Sequence, residues 1–110
     1  MANTFNRKLS RNVGTSLTSV GSYTVGSSTK TVVVGLVLAN VSGSSINVDA
    51  TVNDGSNDYY MIKNAPIAAG GSLVVVGGDQ KIVLNTSDSI KVKSDTASSL
   101  DAIMSIMEIT

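Results

Sequence analysis

The sequence predicts an all-β fold: a single antiparallel β-sandwich of seven or eight short strands, in jelly-roll or immunoglobulin-like order, with an N-terminal arm. Runs of β-branched and aliphatic residues alternate with turns rich in Gly, Ser, Asn and Asp, at intervals of roughly ten residues. No segment combines a sustained i, i+3, i+4 apolar pattern with helix-capping residues, so we expect little or no helix.

Length and composition limit the classes of function. The 110 residues suit one domain, and they include eight basic and eight acidic side chains but no His, Cys or Trp. Without His or Cys, the commonest general base, metal ligand and thiol nucleophile are missing, so we expect no enzyme, no cofactor and no metal. A formal net charge of zero gives the chain no general attraction to nucleic acid or to a membrane, and neither is expected as a partner.

The N-terminal arm is predicted over residues 1–21, and the sandwich domain over residues 22–110. The arm is polar and contains Arg7, Lys8 and Arg11, with Phe5 and Leu17 as apolar anchors. It is either a frayed terminus or a segment that becomes ordered against a neighbouring subunit, and the single Phe favours the second interpretation. The first ten residues lack the apolar core of a signal peptide, so synthesis in a cytoplasm is expected.

The central strand is predicted over residues 31–40, after a short strand over residues 22–25. Residues 31–40 are aliphatic on both faces, with no charge after Lys30. Such a strand must be covered on both sides, either within the domain or by a partner.

The following strand, over residues 46–52, shows the clearest alternation in the chain. One set of side chains should face the core (Ile46, Val48, Ala50 and Val52) and the other should face water (Asn47, Asp49, Thr51 and Asn53). Residues 53–57 predict a hairpin turn, because Asn, Asp and Gly tolerate positive φ. The return strand, over residues 58–63, ends near Pro66, which indicates an edge or a corner.

The last third contains strands over residues 72–76, 80–84, 89–93 and 102–109. In the final strand, Ile103, Met107 and Ile109 occupy the face opposite the apolar residues that belong in the core. Two alternatives remain open for them. They lie beneath the N-terminal segment of the same chain, or they belong to a subunit interface.

Two short segments resemble ligand-binding motifs only in part. Residues 54–58 begin like a calcium loop, but the sixth and twelfth positions are Tyr59 and Ala65 instead of Gly and Glu, so that motif fails. Tyr59 and Tyr60 could stack on a sugar, yet adjacent residues of a strand point to opposite faces, so at most one would serve such a site.

Several segments together resemble small virion proteins of tailed bacteriophages. They are DYYMIKNAPI (58–67), GGSLVVVGGDQKIVL (70–84), DSIKV (88–92), ASSLD (97–101) and EIT (108–110), with NVGT (12–15) and YTV (23–25) nearer the N-terminus. These motifs are structural, and they imply no catalytic residues.

The resemblance implies a structural component of a bacteriophage virion, and we expect an oligomeric capsid decoration or cement protein. The alternative is a neck, tail or fibre-associated component, including a carbohydrate-binding surface module. The expected partners are further copies of the chain and other virion proteins, such as major capsid or neck and tail proteins. The expected location is the virion, after synthesis in the cytoplasm of the host bacterium. The predicted interface residues are Phe5, Arg7, Lys8, Arg11, Leu17, Ile103, Met107 and Ile109.

Overall fold

The computed structural model describes residues 2–110, which form nine strands and one short 3₁₀ turn, Val20–Ser22. The strands are β1 (Asn3–Val13), β2 (Thr18–Ser19), β3 (Lys30–Asn40), β4 (Ile46–Asn53), β5 (Asp58–Ile67), β6 (Ser72–Val76), β7 (Ile82–Leu84), β8 (Ser89–Ser94) and β9 (Leu100–Ile109). No helix among these residues is long and apolar enough to cross a membrane.

The strands form two antiparallel sheets. Sheet A has the order β1-β9-β3-β6, with β7 also paired to β3, and sheet B has the order β2-β8-β4-β5. Pairing therefore runs from the outside of the chain inward: β1 with β9, β2 with β8, β3 with β6 and β4 with β5. A long double hairpin folded on itself in this way is a jelly roll. The predicted all-β sandwich is confirmed, and its strand order is the jelly-roll one.

The core lies between the two sheets and consists of small branched side chains. Ile46, Val48 and Ala50 are buried and Val52 is half-buried, as the alternation predicts. The core-facing residues of the other sheet include Val33, Leu36, Leu38, Ala102, Met104 and Ile106.

Asp49 and Thr51 are also buried, and here the prediction that they face water is wrong. In the neighbouring strand β5, Asn64 adopts a left-handed conformation (φ 54°), and its backbone N–H donates to Asp49 Oδ1 at 2.8 Å. The Lys93 ammonium lies 3.7 Å from the other carboxylate oxygen of Asp49. Groups from both flanking strands therefore replace water on this face of sheet B.

The strand predicted over residues 22–25 is not formed. Ser22 adopts a positive φ of 54°, which interrupts an extended conformation. Tyr23 is nevertheless buried, and its hydroxyl lies 2.7 Å from Thr31 Oγ1 and donates to Glu108 Oε2 at 2.9 Å. Residues 22–25 are therefore held in place by long-range hydrogen bonds instead of a strand ladder.

Strand β5 is longer than predicted. It continues from residue 63 through the bulge at Asn64 and ends at Ile67, with Pro66 paired to Asn47. Because β5 is the edge strand of sheet B, Pro66 does stand on an edge, where its missing N–H leaves no ladder bond unmade.

Strand β1 falls within the segment predicted as an arm, and it forms one edge of sheet A. Residues 3–10 pair in register with residues 109–102 of β9. On its inner face, the Lys8 ammonium lies 4.9 Å from the centre of the Tyr23 ring, and Ser10 Oγ accepts the Gly21 N–H at 2.8 Å. The N-terminal segment thus lies beside β9 and does not cover the outer face of that strand.

Candidate functional site

The outer face of sheet A, which points away from the core, carries two rows of apolar side chains. Each row crosses four strands, because its members stand opposite one another in the ladders. The first row is Phe5, Met107, Val32 and Val83, and the second is Leu9, Ile103, Val37 and Val74. The rows are four residues apart along β9, which corresponds to about 13 Å.

These side chains are unusually exposed for their size. Phe5 is 74% exposed, Val74 62%, Val83 61%, Ile103 51% and Leu9 50%. They account for five of the eight large hydrophobic residues that stay exposed among residues 2–110. Five exposed apolar side chains thus share one face of one sheet, and exposed apolar surface concentrated in this way indicates a contact surface.

A third row, small only in its central members, separates the two apolar rows. Ser105 and Gly35 stand opposite each other in its centre, and Arg7 occupies the β1 end. The result is a shallow groove between two apolar ridges. Gly35 does not have a positive φ, and a Cβ added there would lie 3.8 Å from its nearest neighbour, the Val76 carbonyl oxygen, which is ordinary van der Waals contact.

Five of the predicted interface residues belong to this face. Phe5, Arg7, Ile103, Met107 and Ile109 all point outward from sheet A, although they come from the two ends of the chain. Their proximity follows from the β1–β9 pairing, which joins the two ends in one ladder. Their role in an interface stays a prediction.

The other three predicted residues lie elsewhere or at the border. Lys8 is on the inner side of β1, over the Tyr23 ring, so it is withdrawn from the outer face. Leu17 is half-buried just before β2 of sheet B. Arg11 is exposed beyond the regular β1–β9 pairing, where it lines an open groove of about 350 Å³ with Leu9, Asp101 and Ile103.

Most residues of this face are not among those predicted from the sequence. The missing members are Leu9, Val32, Val37, Val74, Val83 and the small residues Gly35 and Ser105. A signal for two of them was present in the sequence, because β3 is apolar on both faces. In the structure the inner face of β3 is buried, whereas Val32 and Val37 on its outer face remain half-buried.

The hairpin between β4 and β5 uses its carboxylate internally. Asp54 Oδ1 accepts the backbone N–H groups of Asn57 at 2.7 Å and Ser56 at 2.9 Å, while the Tyr59 hydroxyl donates to Oδ2 at 3.2 Å. These backbone hydrogen bonds, that of Asn57 first, lower the pKa of Asp54. No group of three potential metal ligands converges anywhere within residues 2–110.

No protein-family model and no curated protein sequence matches the chain, but solved structures share its fold. A chain of Bacillus endospore appendages, described as disulfide-linked pili, gives a TM-score of 0.56 at 9% identity over 98% of this chain and 88% of that one. A chain of the acid-stable capsid of Helicobacter pylori bacteriophage KHP30 gives 0.56 at 9% identity over 100% and 89%. A chain of the T13 IBDV viral particle gives 0.51 at 9% identity, over 96% of this chain but only 30% of that one. At such identities the likeness shows a shared fold.

Proposed function

We propose that the chain is a structural component of a bacteriophage virion, an oligomeric capsid decoration or cement protein that stabilises the particle through subunit contacts. The observation that carries the proposal is the outer face of sheet A, an apolar surface that this chain leaves uncovered. The shared fold with a bacteriophage capsid chain and the resemblance of the sequence to phage virion proteins support the same function.

The size of the apolar patch explains why repetition on a particle would matter. The five exposed side chains present on the order of 500 Å² of apolar surface, close to the largest patches that monomeric proteins leave in water. Covering that area contributes about 12 kcal/mol at about 25 cal/mol per Å². Association costs roughly 4–15 kcal/mol, so a single such contact is marginal, whereas many simultaneous contacts on a particle are strong.

Charge at the rim of the face would select the partner. Arg7 and Arg11 are exposed on β1, the strand that the sequence assigns to the N-terminal arm. Strand β1 would therefore contribute Phe5 and these two cations to the contact, where the cations favour acidic groups on the partner and faster encounter. Binding through them should weaken as the salt concentration rises.

Composition favours a virion over a pilus of the related fold. The pili that share the fold are described as disulfide-linked, and the 110 residues of this chain contain no Cys. This chain therefore cannot be cross-linked by disulfides, and its exposed apolar sheet face is suited to non-covalent contacts.

The experiment is to purify particles of the phage that encodes the chain and to measure copies of the chain per particle by quantitative mass spectrometry. We expect a fixed, high copy number, and an Ile103→Thr variant should lose occupancy several-fold. Tyr60→Thr is the matched control, because Tyr60 is 46% exposed on a strand of the other sheet.

Localisation of the chain in a density map of the same particles separates the possible positions. Density on the capsid shell supports the decoration or cement role. Density at the neck, tail or fibre would contradict the decoration or cement role but would still support a function in the virion. Absence of the chain from purified particles would contradict the proposed function.

A further inference from the structure

We infer that the outer face of sheet A packs against the same face of a second copy of this chain, forming a two-fold symmetric dimer. This inference rests on the proposed function, because the dimer uses the same contact face. It adds that the partner of that face is a second copy of the chain. Three observations support a second copy as the occupant: the glycine in the groove, the alternation of large and small rows, and the balance of charge and area.

At Gly35 neither the backbone conformation nor the surrounding atoms of the same chain exclude a side chain. This glycine lies in the central strand of sheet A, just after the extra residue of a β-bulge, where a side chain would normally strengthen the sheet. Its φ is not in the left-handed region, and the space above its backbone would admit a Cβ. A glycine inside a strand marks either a bulge or a close approach by another chain, and the open space above Gly35 leaves room for such an approach.

The relief of the face is complementary to itself. Two large rows flank a middle row in which Ser105 and Gly35 form a low floor, with Arg7 at its β1 end. A half-turn about an axis parallel to the rows reverses the strand direction and can place a large row of one copy over the small row of the other. By symmetry the second copy then receives the first in the same way, as an isologous interface requires. Two sheets with the same twist also pack face to face readily, about 10 Å apart.

Area and charge are both compatible with two copies. Four strands at about 4.8 Å spacing, with about 3.3 Å rise per residue, give the face a projected area of roughly 600 Å² before side-chain relief is added. Stable interfaces bury about 800 Å² per partner. The groove at the end of the second row holds both Arg11 and Asp101, so each copy offers the other a carboxylate as well as a cation.

The test measures self-association of the purified chain by light scattering over a range of concentrations, up to about 100 µM. Wild type should change from monomer to dimer within that range. Gly35→Val fills the groove, so its dimer dissociation constant should rise about tenfold or more. The control is Gly43→Val, at an exposed loop position where a Cβ would meet nothing within 4 Å.

A second measurement distinguishes loss of the interface from loss of the fold. At concentrations where the chain is monomeric, Gly35→Val should melt at the same temperature as wild type or higher, because Val suits a strand better than Gly. Val37→Thr, which keeps the shape and β-branching of the side chain but replaces one methyl group by a hydroxyl, should also weaken the dimer. Tyr60→Thr, in sheet B, should leave it unchanged.

Three results would overturn the inference. Wild type could remain monomeric up to the highest concentration, Gly35→Val could dimerise as tightly as wild type, or a dimer could persist through Val37→Thr but dissociate with Tyr60→Thr. A monomer that still binds particles would overturn the dimer and leave the virion function standing. A Gly35-dependent dimer that is absent from particles would support the dimer and contradict the virion function.

Discussion

At Gly21 the chain passes so close to β1 that no side chain fits. Its φ is +61°, and an added Cβ would lie 2.7 Å from Lys8 Cβ and 3.1 Å from the Leu9 backbone nitrogen. We expect Gly21→Ala to lower the free energy of unfolding by about 2 kcal/mol or more, from backbone strain combined with steric overlap. The measurement is urea denaturation, together with hydrogen exchange of residues 3–10, which should lose protection.

Gly43→Ala provides the control for this substitution. Gly43 has no positive φ, and an added Cβ would meet nothing within 4 Å. Its effect on stability should stay within about 0.5 kcal/mol. Equal effects of the two substitutions would show that Gly21 does not hold β1 in place.

Tyr23 makes the stability of the fold sensitive to alkaline pH. Burial raises the pKa of the Tyr23 phenol, and the Glu108 carboxylate raises it further, while the hydrogen bond with Thr31 acts in the opposite direction. A raised pKa means that the folded state keeps the proton longer than the unfolded state does. Its contribution to stability is therefore complete below about pH 10, the ordinary value, and is lost as the pH rises from there through the folded-state pKa.

Tyr23→Phe should remove this alkaline component from the pH profile of the unfolding free energy. At neutral pH it should also cost about 1–3 kcal/mol, because the buried Thr31 hydroxyl and the Glu108 carboxylate lose their shared partner. Tyr60→Phe is the control, since Tyr60 is exposed. An unchanged alkaline slope in Tyr23→Phe would assign that slope to another group.

At the scale of single elements, the β4–β5 hairpin depends on its glycine more than on its carboxylate. Gly55 has a φ of +99°, whereas Asn in place of Asp54 would keep the oxygen that accepts the Ser56 and Asn57 N–H groups. We expect Gly55→Ala to destabilise by about 1 kcal/mol and Asp54→Asn by less. Thermal melting checks this order. Calcium should leave the melting temperature of wild type unchanged, and a rise that disappears in Asp54→Asn would contradict an internally satisfied turn.

Strand β1 protects one side of β9 along most of its length. Removing residues 2–13 would leave β9, which is apolar on both faces, as an edge with unpaired backbone groups. We expect the truncated chain to aggregate or to lose its folded structure. Circular dichroism and size-exclusion chromatography report this directly. A truncated chain that stays folded and monomeric would mean that β1 is a dispensable arm.

The strands that the sequence predicts well are those whose pattern is local. The alternation from Ile46 to Val52 assigns the core-facing side chains of β4 correctly, since a period of two depends on the strand alone. Burial of Asp49 depends on a bulge at Asn64, fifteen residues later, and on Lys93 in another strand. Contacts of that kind have no local signal in the sequence.

On the outer face of sheet A, too, some features have a local signal in the sequence and others do not. The doubly apolar character of β3 indicates that something must cover both its faces, which the sequence shows by itself. The complete face joins residues as distant as Phe5, Val32 and Met107, and only the register across four strands reveals that they form one row. The sequence could thus predict that an uncovered surface exists, but not its extent or its groove.

At the scale of the whole molecule, the outer faces of the two sheets differ in how much apolar surface they expose. The outer face of sheet A carries two rows of apolar side chains. The exposed aromatic residues of sheet B, Tyr59 and Tyr60, are consecutive in an edge strand and so point to opposite faces. A molecule of this kind would assemble through one face and leave the other toward solvent.

The most direct test of the proposed assembly is hydroxyl-radical footprinting of Met107 and Met61, which are both half-buried, in the free chain at low concentration and in purified particles. Met107 lies on the outer face of sheet A, and Met61 lies on β5 of sheet B, so Met61 serves as an internal control. We expect the oxidation rate of Met107 to fall several-fold on assembly while that of Met61 stays constant. Equal oxidation of Met107 in the two states would contradict a role for this face in assembly.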